Sequence, residues 1–159
     1  LETYKIKIDL NLNATELEKK LSQLAAEKTI ENIDNIIKGK VKLKEQDHSE
    51  ATYAEKINKK EGKITWNDSS KKIIGKINGL HPNPGAYFIF NGDRYKILKA
   101  EIGNGSGHPG EVLNDKLEIA CSNNESIKVI EIQKEGKKIQ EINEFLNGSK
   151  ILKGRTLNE

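Results

Sequence analysis

The chain has 159 residues, a formal net charge of +3 and 32% charged residues, a length that accommodates one main domain with a smaller appendage. No apolar run approaches the roughly 18 residues of a membrane helix, and no charged-then-apolar signal segment opens the sequence, so we expect a cytoplasmic protein. Because the chain contains no methionine and begins with leucine, we expect it to be a piece of a longer protein.

Positive charge is concentrated in one part of the sequence. The basic residues are nearly all lysine, with Arg94 and Arg155 as the only arginines. Since abundant lysine, isoleucine and asparagine are typical of an AT-rich genome, total lysine is weak evidence for a nucleic-acid partner. Residues 56–76, however, contain seven lysines against Glu61 and Asp68, for a local net charge of +5. This local excess is the better evidence for such a partner.

A strand and a long helix are predicted first. Residues 3–8 alternate polar and apolar side chains, which favours a half-buried strand. Asn13 and Glu16 have the spacing of a capping box, and Gly39 supplies a left-handed stop for the helix that follows. Apolar residues of this helix recur near helical spacing at Leu17, Leu21, Leu24, Ile30, Ile33 and Ile37. One strand and one helix bury too little apolar surface, so we expect a partner sheet upstream in the sequence.

Residues 46–66 form a polar, lysine-rich stretch with little apolar periodicity. About 20 such residues exceed an ordinary loop within one domain, so we interpret the stretch as both a linker and a binding segment. A short second helix follows, with Asn67 or Asp68 as its predicted N-cap. Its apolar face is formed by Ile73, Ile74, Ile77 and Leu80. Pro82 ends it, because proline pushes the preceding residue out of helical geometry.

Short strands dominate the rest of the chain. Residues 87–90 and 94–102 are predicted strands around an Asn91-Gly92 turn, the strongest short-range hairpin signal. Three further strands are predicted, at residues 111–113, 117–121 and 127–133. A phase slip between Val129 and Ile130 in the last of them indicates a bulge.

A terminal helix is predicted around residues 139–146, ending at Gly148. Cys121 alternates with Leu117 and Ile119, so it is predicted to be a buried packing residue. Short strands at close spacing with one small helix predict a mainly β domain. An OB-like Greek-key barrel is the expected member of that class.

The sequence patterns indicate no catalytic or metal site in this chain. His48, His81 and His108 lie in separate loop regions without a cluster of cysteines or carboxylates, so no metal site is predicted. Residues 103–110 are rich in glycine. They lack the G-K-[ST] sequence of a phosphate-binding loop and precede a strand, which argues against that role.

The linker contains a series of motifs: Gln46-Asp47, Ala51-Thr52-Tyr53-Ala54, Lys56-Ile57, Glu61 and Ile64-x-Trp66. Together they resemble the linker of bacterial methionyl-tRNA formyltransferases. Further motifs match in order: Pro82-x-Pro84-Gly85-Ala86, Pro109-Gly110-x-Val112-Leu113, Ile119-Ala120-Cys121, Gln133-x-x-Gly136-Lys137-Lys138, Phe145-Leu146-x-Gly148 and Gly154-x-x-Leu157. Asn78, His81 and Asn83 depart from the arginine, asparagine and tryptophan usual in the family, so no role is carried over to them.

The resemblance implies a longer protein with a Rossmann-like catalytic domain, a linker and an OB-like C-terminal domain. Residues 1–45 would be the end of the catalytic domain, 46–66 the lysine-rich linker and 67–159 the tRNA-binding domain. The family transfers a formyl group from 10-formyltetrahydrofolate to the amino group of methionyl initiator tRNA. Its catalytic asparagine, histidine and aspartate and its folate site lie upstream. The resemblance therefore implies a chain that is inactive alone. We also expect no metal cofactor and a monomer.

By the same resemblance, this part would bind and orient methionyl initiator tRNA in translation initiation. Lysines bind phosphates as point charges and release condensed counterions. The candidate tRNA-binding residues are Lys56, Lys59, Lys60, Lys63, Lys71, Lys72, Lys76, Lys137 and Lys138. From sequence alone, the alternative is an ordinary solvated face. Tyr53, Trp66, Tyr87 and Tyr95 could also stack on bases, although core packing is expected for Trp66.

Two other functions stay open. The chain could be a free-standing OB-like module that binds RNA generally, or part of a formyltransferase that acts on a non-tRNA amine such as a nucleotide sugar. A preference for initiator over elongator tRNA would exclude the first of these. Formyl transfer to a non-tRNA amine would support the second. The linker and the Gly136-Lys137-Lys138 match favour the tRNA enzyme, and no membrane partner is expected.

Overall fold

The computed structural model describes residues 3–149 and 151–157. Its helices are α1 (Ala14–Ile37), α2 (Ser70–Gly79) and α3 (Ile142–Leu146). Its strands are β1 (Ala86–Phe90), β2 (Asp93–Ile102), β3 (Glu118–Ala120), β4 (Ser126–Lys134) and β5 (Gln140–Glu141). Short 3-10 helices occur at His48–Glu50, Lys59–Gly62 and Ser122–Asn124. None of the helices in this part of the chain has the length and apolar composition that crossing a bilayer requires.

The strands form one antiparallel sheet in the order β1-β2-β4-β3, with β5 paired to β4. This arrangement confirms the prediction of a mainly β fold. β1 and β2 form the predicted hairpin, and both turn residues have positive φ, 52° at Asn91 and 77° at Gly92. Two successive positive φ values are those of a type I′ turn, whose twist matches that of the flanking strands.

The predicted irregularity of β4 is also confirmed. Lys99 of β2 lies opposite Glu131, whereas the next residue, Ala100, lies opposite Val129. Ile130 is therefore an extra residue that has no partner on β2. The bulge lets Val129 and Ile132, which are three positions apart, both point into the core, where each is at most 1% exposed.

Segments outside the five strands continue the pairing at both edges of the sheet. Lys63 forms an isolated parallel bridge with Tyr87 of β1. At the other edge, Val112 bridges Ile119 of β3, and Glu111 bridges Thr156. A hydrogen bond shows that the two edges approach each other. The indole Nε1 of Trp66, close to Lys63, donates to the carbonyl oxygen of Leu157, next to Thr156, over 2.9 Å.

The core lies between α2 and the inner face of this sheet. Ile73, Ile74 and Ile77 of α2 are at most 1% exposed, which confirms the predicted apolar face except at Leu80, which is half-buried. Cys121 is buried as predicted, and its burial raises the pKa of the thiol to about 12. The core aromatic side chains are Trp66, Phe88, Phe90, Tyr95 and Phe145.

Helix α1 begins and ends as predicted. The Asn13 side chain accepts from the backbone N–H of Glu16, whose carboxylate accepts from the N–H of Asn13, and Gly39 follows with φ of 64°. The helix buries none of its residues. Large apolar side chains, including Leu21, Ile30 and Ile37, are exposed on it.

The segment before α1 contacts the second helix. Leu12 is buried, and the Asn78 side-chain amide donates a 2.6 Å hydrogen bond to the carbonyl oxygen of Leu10. Thr15 Oγ1 and His81 Nδ1 lie 3.1 Å apart. These contacts hold the start of α1 against the end of α2.

Three secondary-structure predictions are wrong, each near an end of the chain or at an edge of the sheet. Residues 3–8 form no strand, because no neighbouring strand pairs with them within the described residues, and their backbone groups have no ladder to join. Residues 111–113 contribute only the two isolated bridges. In the stretch predicted as a terminal helix, Gln140–Glu141 pairs with β4, so the helix begins only at Ile142.

The N-cap predicted for the second helix is also wrong. Neither Asn67 nor Asp68 caps it; Ser69 does, by accepting a hydrogen bond from the backbone N–H of Lys72. Serine is as good a cap as asparagine or aspartate, so the local sequence did not discriminate among three adjacent candidates. Asp68 instead forms a salt bridge of 2.7 Å with Lys72.

Gly62 allows the lysine-rich stretch of residues 46–66, predicted to be a linker and called the linker below, to lie directly against the turn before β1. A Cβ atom at this position would overlap the carbonyl oxygen of Gly85. We therefore expect Gly62→Ala to lower the free energy of unfolding by about 2 kcal/mol, because backbone would have to shift to relieve the overlap. Urea unfolding followed by the fluorescence of Trp66 would measure the change.

Gly75 provides the matched control for this substitution. It lies inside α2, and a Cβ atom there would meet nothing within 4 Å. Gly75→Ala is expected to stabilise the protein by about 0.5–1 kcal/mol, because alanine has the higher helix propensity. If the two variants had equal stability, close approach at Gly62 would not be a constraint on the fold.

Candidate nucleic-acid interface

The outer face of the sheet is defined by strand alternation. Tyr95 and Ile97 of β2 point into the core and are at most 7% exposed. Arg94 and Lys96 alternate with them and therefore lie on the opposite, outer face. Tyr87 is opposite Lys96 in the register of β1 with β2 and shares this face. Two cations and an aromatic ring thus lie side by side on the solvent side of the hairpin.

The linker crosses this outer face and encloses a cavity there. The cavity has a volume of about 530 Å³. Its lining comes from the linker, the Pro-rich turn, β2 and the end of β4: Ile57, Lys59, Asn83, Pro84, Arg94, Lys96, Gln133, Glu135 and Gly136. Three of these side chains are cationic and one is anionic. We call this space the outer-face cavity.

Arg94 is held in a defined orientation in this cavity. Its guanidinium carbon lies 3.7 Å from the centroid of the Tyr87 ring, a distance at which stacking and cation–π attraction both operate. Its Nε atom is buried and makes no hydrogen bond with any described residue. A buried N–H donor without a partner is uncommon in folded proteins.

Lys96 lies in a positive local field. Burial, and after it the positive charge of Arg94, lowers the pKa of the Lys96 amine; Lys59 adds a smaller effect and Glu135 opposes it. Its Nζ atom lies 3.4 Å from the Asn83 side-chain oxygen, a long hydrogen bond. An anion in the cavity would oppose these effects and favour the charged form of Lys96, because a nearby opposite charge stabilises an ammonium group.

The predicted linker lysines lie at or near this face. Lys59 lines the outer-face cavity, and Lys56, Lys60 and Lys63 are exposed along the linker. Lys76 reaches the same segment from α2, because its Nζ donates a 2.9 Å hydrogen bond to the carbonyl oxygen of Lys63.

Lys137 and Lys138 are brought close to the linker by the fold. They are exposed in the turn after β4 and line a second cavity together with Lys134. The Gln133 side chain lines the outer-face cavity and donates a 2.9 Å hydrogen bond to the carbonyl oxygen of Lys137. The two cationic groups are therefore neighbours at one end of β4.

Lys71 and Lys72 differ from the other candidates. Lys72 is paired with Asp68, and the Lys71 charge lies near Glu125, whose pKa is lowered chiefly by hydrogen bonds from Ser70. Acidic partners reduce the positive potential at the start of α2. Among the predicted lysines, this pair has the weakest electrostatic case for binding a phosphate.

The aromatic candidates divide by burial. Trp66 is 3% exposed and Tyr95 is 7% exposed, so both belong to the core and neither offers a face to a base. The expectation of core packing for Trp66 is confirmed. Tyr53 is 93% exposed on the linker, whereas Tyr87 is half-buried beneath Arg94. Stacking on a base stays possible only for Tyr53.

The three histidines are not assembled into a site. Within residues 3–149 and 151–157, no group of three or more His, Cys, Asp or Glu side chains has an arrangement that could hold a metal ion. His81 has Thr15 as its hydrogen-bond partner.

These features define a small antiparallel β domain with a cationic outer face, preceded by a helix and a lysine-rich linker. Residues 56–150 match the formyl transferase C-terminal domain family, and the chain belongs to this family. Over 151 residues it is 60% identical to methionyl-tRNA formyltransferase of Pelagibacter ubique, covering 95% of this chain and 49% of that protein. It is 45% identical over 161 residues to methionyl-tRNA formyltransferase of Rickettsia prowazekii, covering 96% of this chain and 51% of that protein.

These matches confirm the resemblance inferred from the linker and β-domain motifs. The chain spans about half the length of the curated relatives it matches. Among solved structures, a variant of HypX from Aquifex aeolicus has a TM-score of 0.69 at 19% identity, covering 90% of this chain and 27% of that one. HypX from the same organism in complex with tetrahydrofolic acid has a TM-score of 0.60 at 20% identity, covering 77% of this chain and 22% of that one. At such low identity, these similarities establish the fold alone.

Proposed function

We propose that this chain is the tRNA-binding half of a methionyl-tRNA formyltransferase. In this role it holds methionyl initiator tRNA while the rest of the enzyme transfers the formyl group. The observation that carries the proposal is the clustering of linker and β-domain cations on one outer face. Such a face binds a phosphate backbone through charge, without reading sequence.

The chemistry of formyl transfer is proposed to occur outside this chain. The amine of methionine must attack a carbonyl and lose a proton, which requires a general base and donors for an oxyanion. The formyl donor, 10-formyltetrahydrofolate, needs an enclosed slot for its pterin ring. The described interior does not fit this group, because it is filled by side chains such as Trp66, Phe88 and Ile77. The chain instead supplies orientation, which raises the effective concentration of the amine at the reacting centre.

The domain plan follows from the same proposal. Residues 1–45 are the end of a Rossmann-like catalytic domain, 46–66 a linker and 67–159 an OB-like barrel. Support for the barrel comes from the approach of the two sheet edges through Trp66 and Leu157. The exposed apolar side chains of α1 support the assignment of residues 1–45 to the end of a catalytic domain, because they need a partner surface that the described residues do not supply. The complete protein is proposed to be a cytoplasmic monomer.

The linker lysines test the proposal most directly. Replacing Lys56, Lys59, Lys60 and Lys63 together by alanine is expected to weaken the binding of tRNA at least tenfold at low salt, because up to four phosphate contacts are lost. The slope of log affinity against log salt concentration should also become shallower. Fluorescence anisotropy with labelled initiator tRNA over a salt series would measure both quantities.

Four lysines of the first 20 residues provide a control of equal charge: Lys5, Lys7, Lys19 and Lys20, all exposed. Their replacement by alanine is expected to leave affinity within about threefold, since only the long-range field changes. Equal losses for the two variants would mean that net charge alone binds the tRNA, and would overturn the assignment of the linker. Emission from Trp66 should be unchanged in both if the fold is intact.

The choice of tRNA separates the remaining functions. Tighter binding of this chain to initiator tRNA than to elongator tRNA would support the proposal. Equal affinity for both tRNAs and for unrelated RNA would favour a general RNA-binding module. The cationic face is also compatible with that function, because it binds phosphates without reading sequence. Formyl transfer to a non-tRNA amine by the full-length enzyme would favour the third function.

A further inference from the structure

The outer-face cavity contains two cations that are not among the predicted tRNA-binding lysines. We propose that Arg94, Lys96 and Lys59 form a binding site for one phosphate group of the RNA backbone, with Arg94 as the residue that orients it. The inference rests on the proposed function and adds a specific subsite to it. The site differs from the exposed linker lysines in being partly enclosed and in having a fixed arginine.

The orientation of Arg94 is the first argument. The guanidinium carbon lies 3.7 Å from the centroid of the Tyr87 ring, so this contact holds the group over one face of the ring. The edge of the group, which carries the N–H donors, is left for other partners. Among the described residues, no carboxylate forms a salt bridge with Arg94. A planar fork of donors held in place and free of a carboxylate suits the two oxygens of a phosphate.

The buried donor is the second argument. Arg94 Nε has no hydrogen-bond partner among the described residues, although it is inaccessible in the unbound domain. An unmade hydrogen bond of this kind destabilises the protein, and a bound water or ion is among the groups that account for such a donor. A ligand oxygen at the edge of the guanidinium would lie near this donor.

Charge and size are the third argument. Lys59, Arg94 and Lys96 together outweigh Glu135, so the lining has a net positive charge. The volume of about 530 Å³ exceeds that of a phosphate ion and admits a phosphate with its attached sugar. The linker forms one wall through Ile57 and Lys59. A bound phosphate would therefore connect the linker to β2 and fix the linker relative to the domain.

Arginine NMR provides a direct readout, because the chain has only two arginines. A sample labelled with ¹⁵N-arginine should give two Nε–H resonances, and the Arg155→Gln variant assigns them. The Arg94 resonance is expected to shift with micromolar deacylated tRNA but with inorganic phosphate only in the millimolar range, since a single phosphate lacks the remaining backbone contacts. The Arg155 resonance should change little in either titration.

Binding measurements complete the test. The Arg94→Gln, Lys96→Gln double variant is expected to reduce the salt slope of tRNA binding by about 1–2, whereas Arg155→Gln is expected to leave it within about 0.3. Arg94→Lys should recover part of the affinity through its charge but not all of it, because lysine has no fork. Folding of each variant is verified from the emission of Trp66.

The outcomes distinguish the subsite from the function on which it rests. If the unmodified chain does not bind tRNA at low salt, the proposed function fails and the subsite with it. If the chain binds tRNA but the Arg94 resonance and the salt slope do not respond, only the subsite is overturned. If inorganic phosphate shifts the resonance at lower concentration than tRNA does, the site belongs to a small phosphate compound, and its assignment to the RNA backbone is overturned.

Discussion

Replacing Trp66 by alanine is expected to lower the free energy of unfolding by about 4 kcal/mol, the range observed when large aromatic side chains are truncated in a core. The indole is 3% exposed and packs on Phe88, with ring centroids 6.0 Å apart at an interplanar angle of 57°. Its Nε1 atom also donates to the carbonyl oxygen of Leu157. The substitution therefore removes apolar packing and the hydrogen bond that joins the two edges of the sheet.

Trp66→Phe separates these two contributions. Phenylalanine keeps most of the buried ring but leaves the Leu157 carbonyl without its donor, which is expected to cost about 1–2 kcal/mol. Because Trp66 is the only tryptophan, unfolding of both variants is followed by far-UV circular dichroism in urea. A loss below about 1 kcal/mol for the alanine variant would mean that the indole does not belong to the core.

The elements that were predicted correctly are those whose signal is local. Asn91-Gly92 specifies a turn with two positive φ values, and Asn13 with Glu16 specifies the start of a helix within four residues. The phase slip between Val129 and Ile130 indicates the bulge in β4, because two adjacent apolar residues cannot share one face of a regular strand. Each of these signals depends only on residues that are neighbours in sequence. The structure contains all three of the features that they predict.

The errors concern elements that depend on a distant partner. Tyr4, Ile6 and Ile8 have the alternation of a strand, but a strand needs a second strand for its backbone groups, and the described residues supply none at that position. Gln140 and Glu141 pair with β4 rather than joining the helix. Helical periodicity over so few residues could not exclude this pairing.

The candidate site was predicted only in part, for the same reason. Local lysine density identified the linker, because those residues are adjacent in sequence. Alternation with Tyr95 and Ile97 could have indicated that Arg94 and Lys96 face outward. Their proximity to Lys59 depends on how the linker crosses the sheet, which no pattern along the chain specifies.

Glu118 gives the second large expected effect. The residue is 6% exposed, and its carboxylate accepts hydrogen bonds from the backbone N–H groups of Asn104 and Gly105, from Ser126 Oγ and from Asn114 Nδ2, at 2.7–2.9 Å. Glu118→Ala would leave these donors without the carboxylate, and among them the Gly105 N–H keeps a second acceptor, Ser126 Oγ at 3.0 Å. We expect it to lower the free energy of unfolding by about 3 kcal/mol at neutral pH, whereas Glu118→Gln, which keeps an oxygen for most of them, should cost about 1–2 kcal/mol.

The pH dependence of the Glu118 variants has a definite sign. Burial raises the pKa of this carboxyl, but hydrogen bonds from Ser126, Gly105, Asn104 and Asn114 together outweigh it, so the pKa in the folded state lies below the ordinary 4.5. The contribution of Glu118 is therefore complete above that ordinary value and is lost as pH falls through the lower, folded pKa. The stability difference between the unmodified chain and Glu118→Gln should narrow over this acid range.

Two measurements distinguish the role of Glu118 in holding the glycine-rich loop, through Asn104 and Gly105, from a general effect of its charge. In urea unfolding followed by Trp66 emission, Glu101→Gln, an exposed substitution on β2, should change stability by less than about 0.5 kcal/mol. In hydrogen exchange, the amides of Asn104 and Gly105 should lose protection in Glu118→Ala, because both donate to the carboxylate. The loss should be larger at Asn104, since Gly105 also donates to Ser126 Oγ. If those amides exchanged at the same rate in the variant and the unmodified chain, the glycine-rich loop would be held by other contacts, and Glu118 would contribute to stability without positioning it.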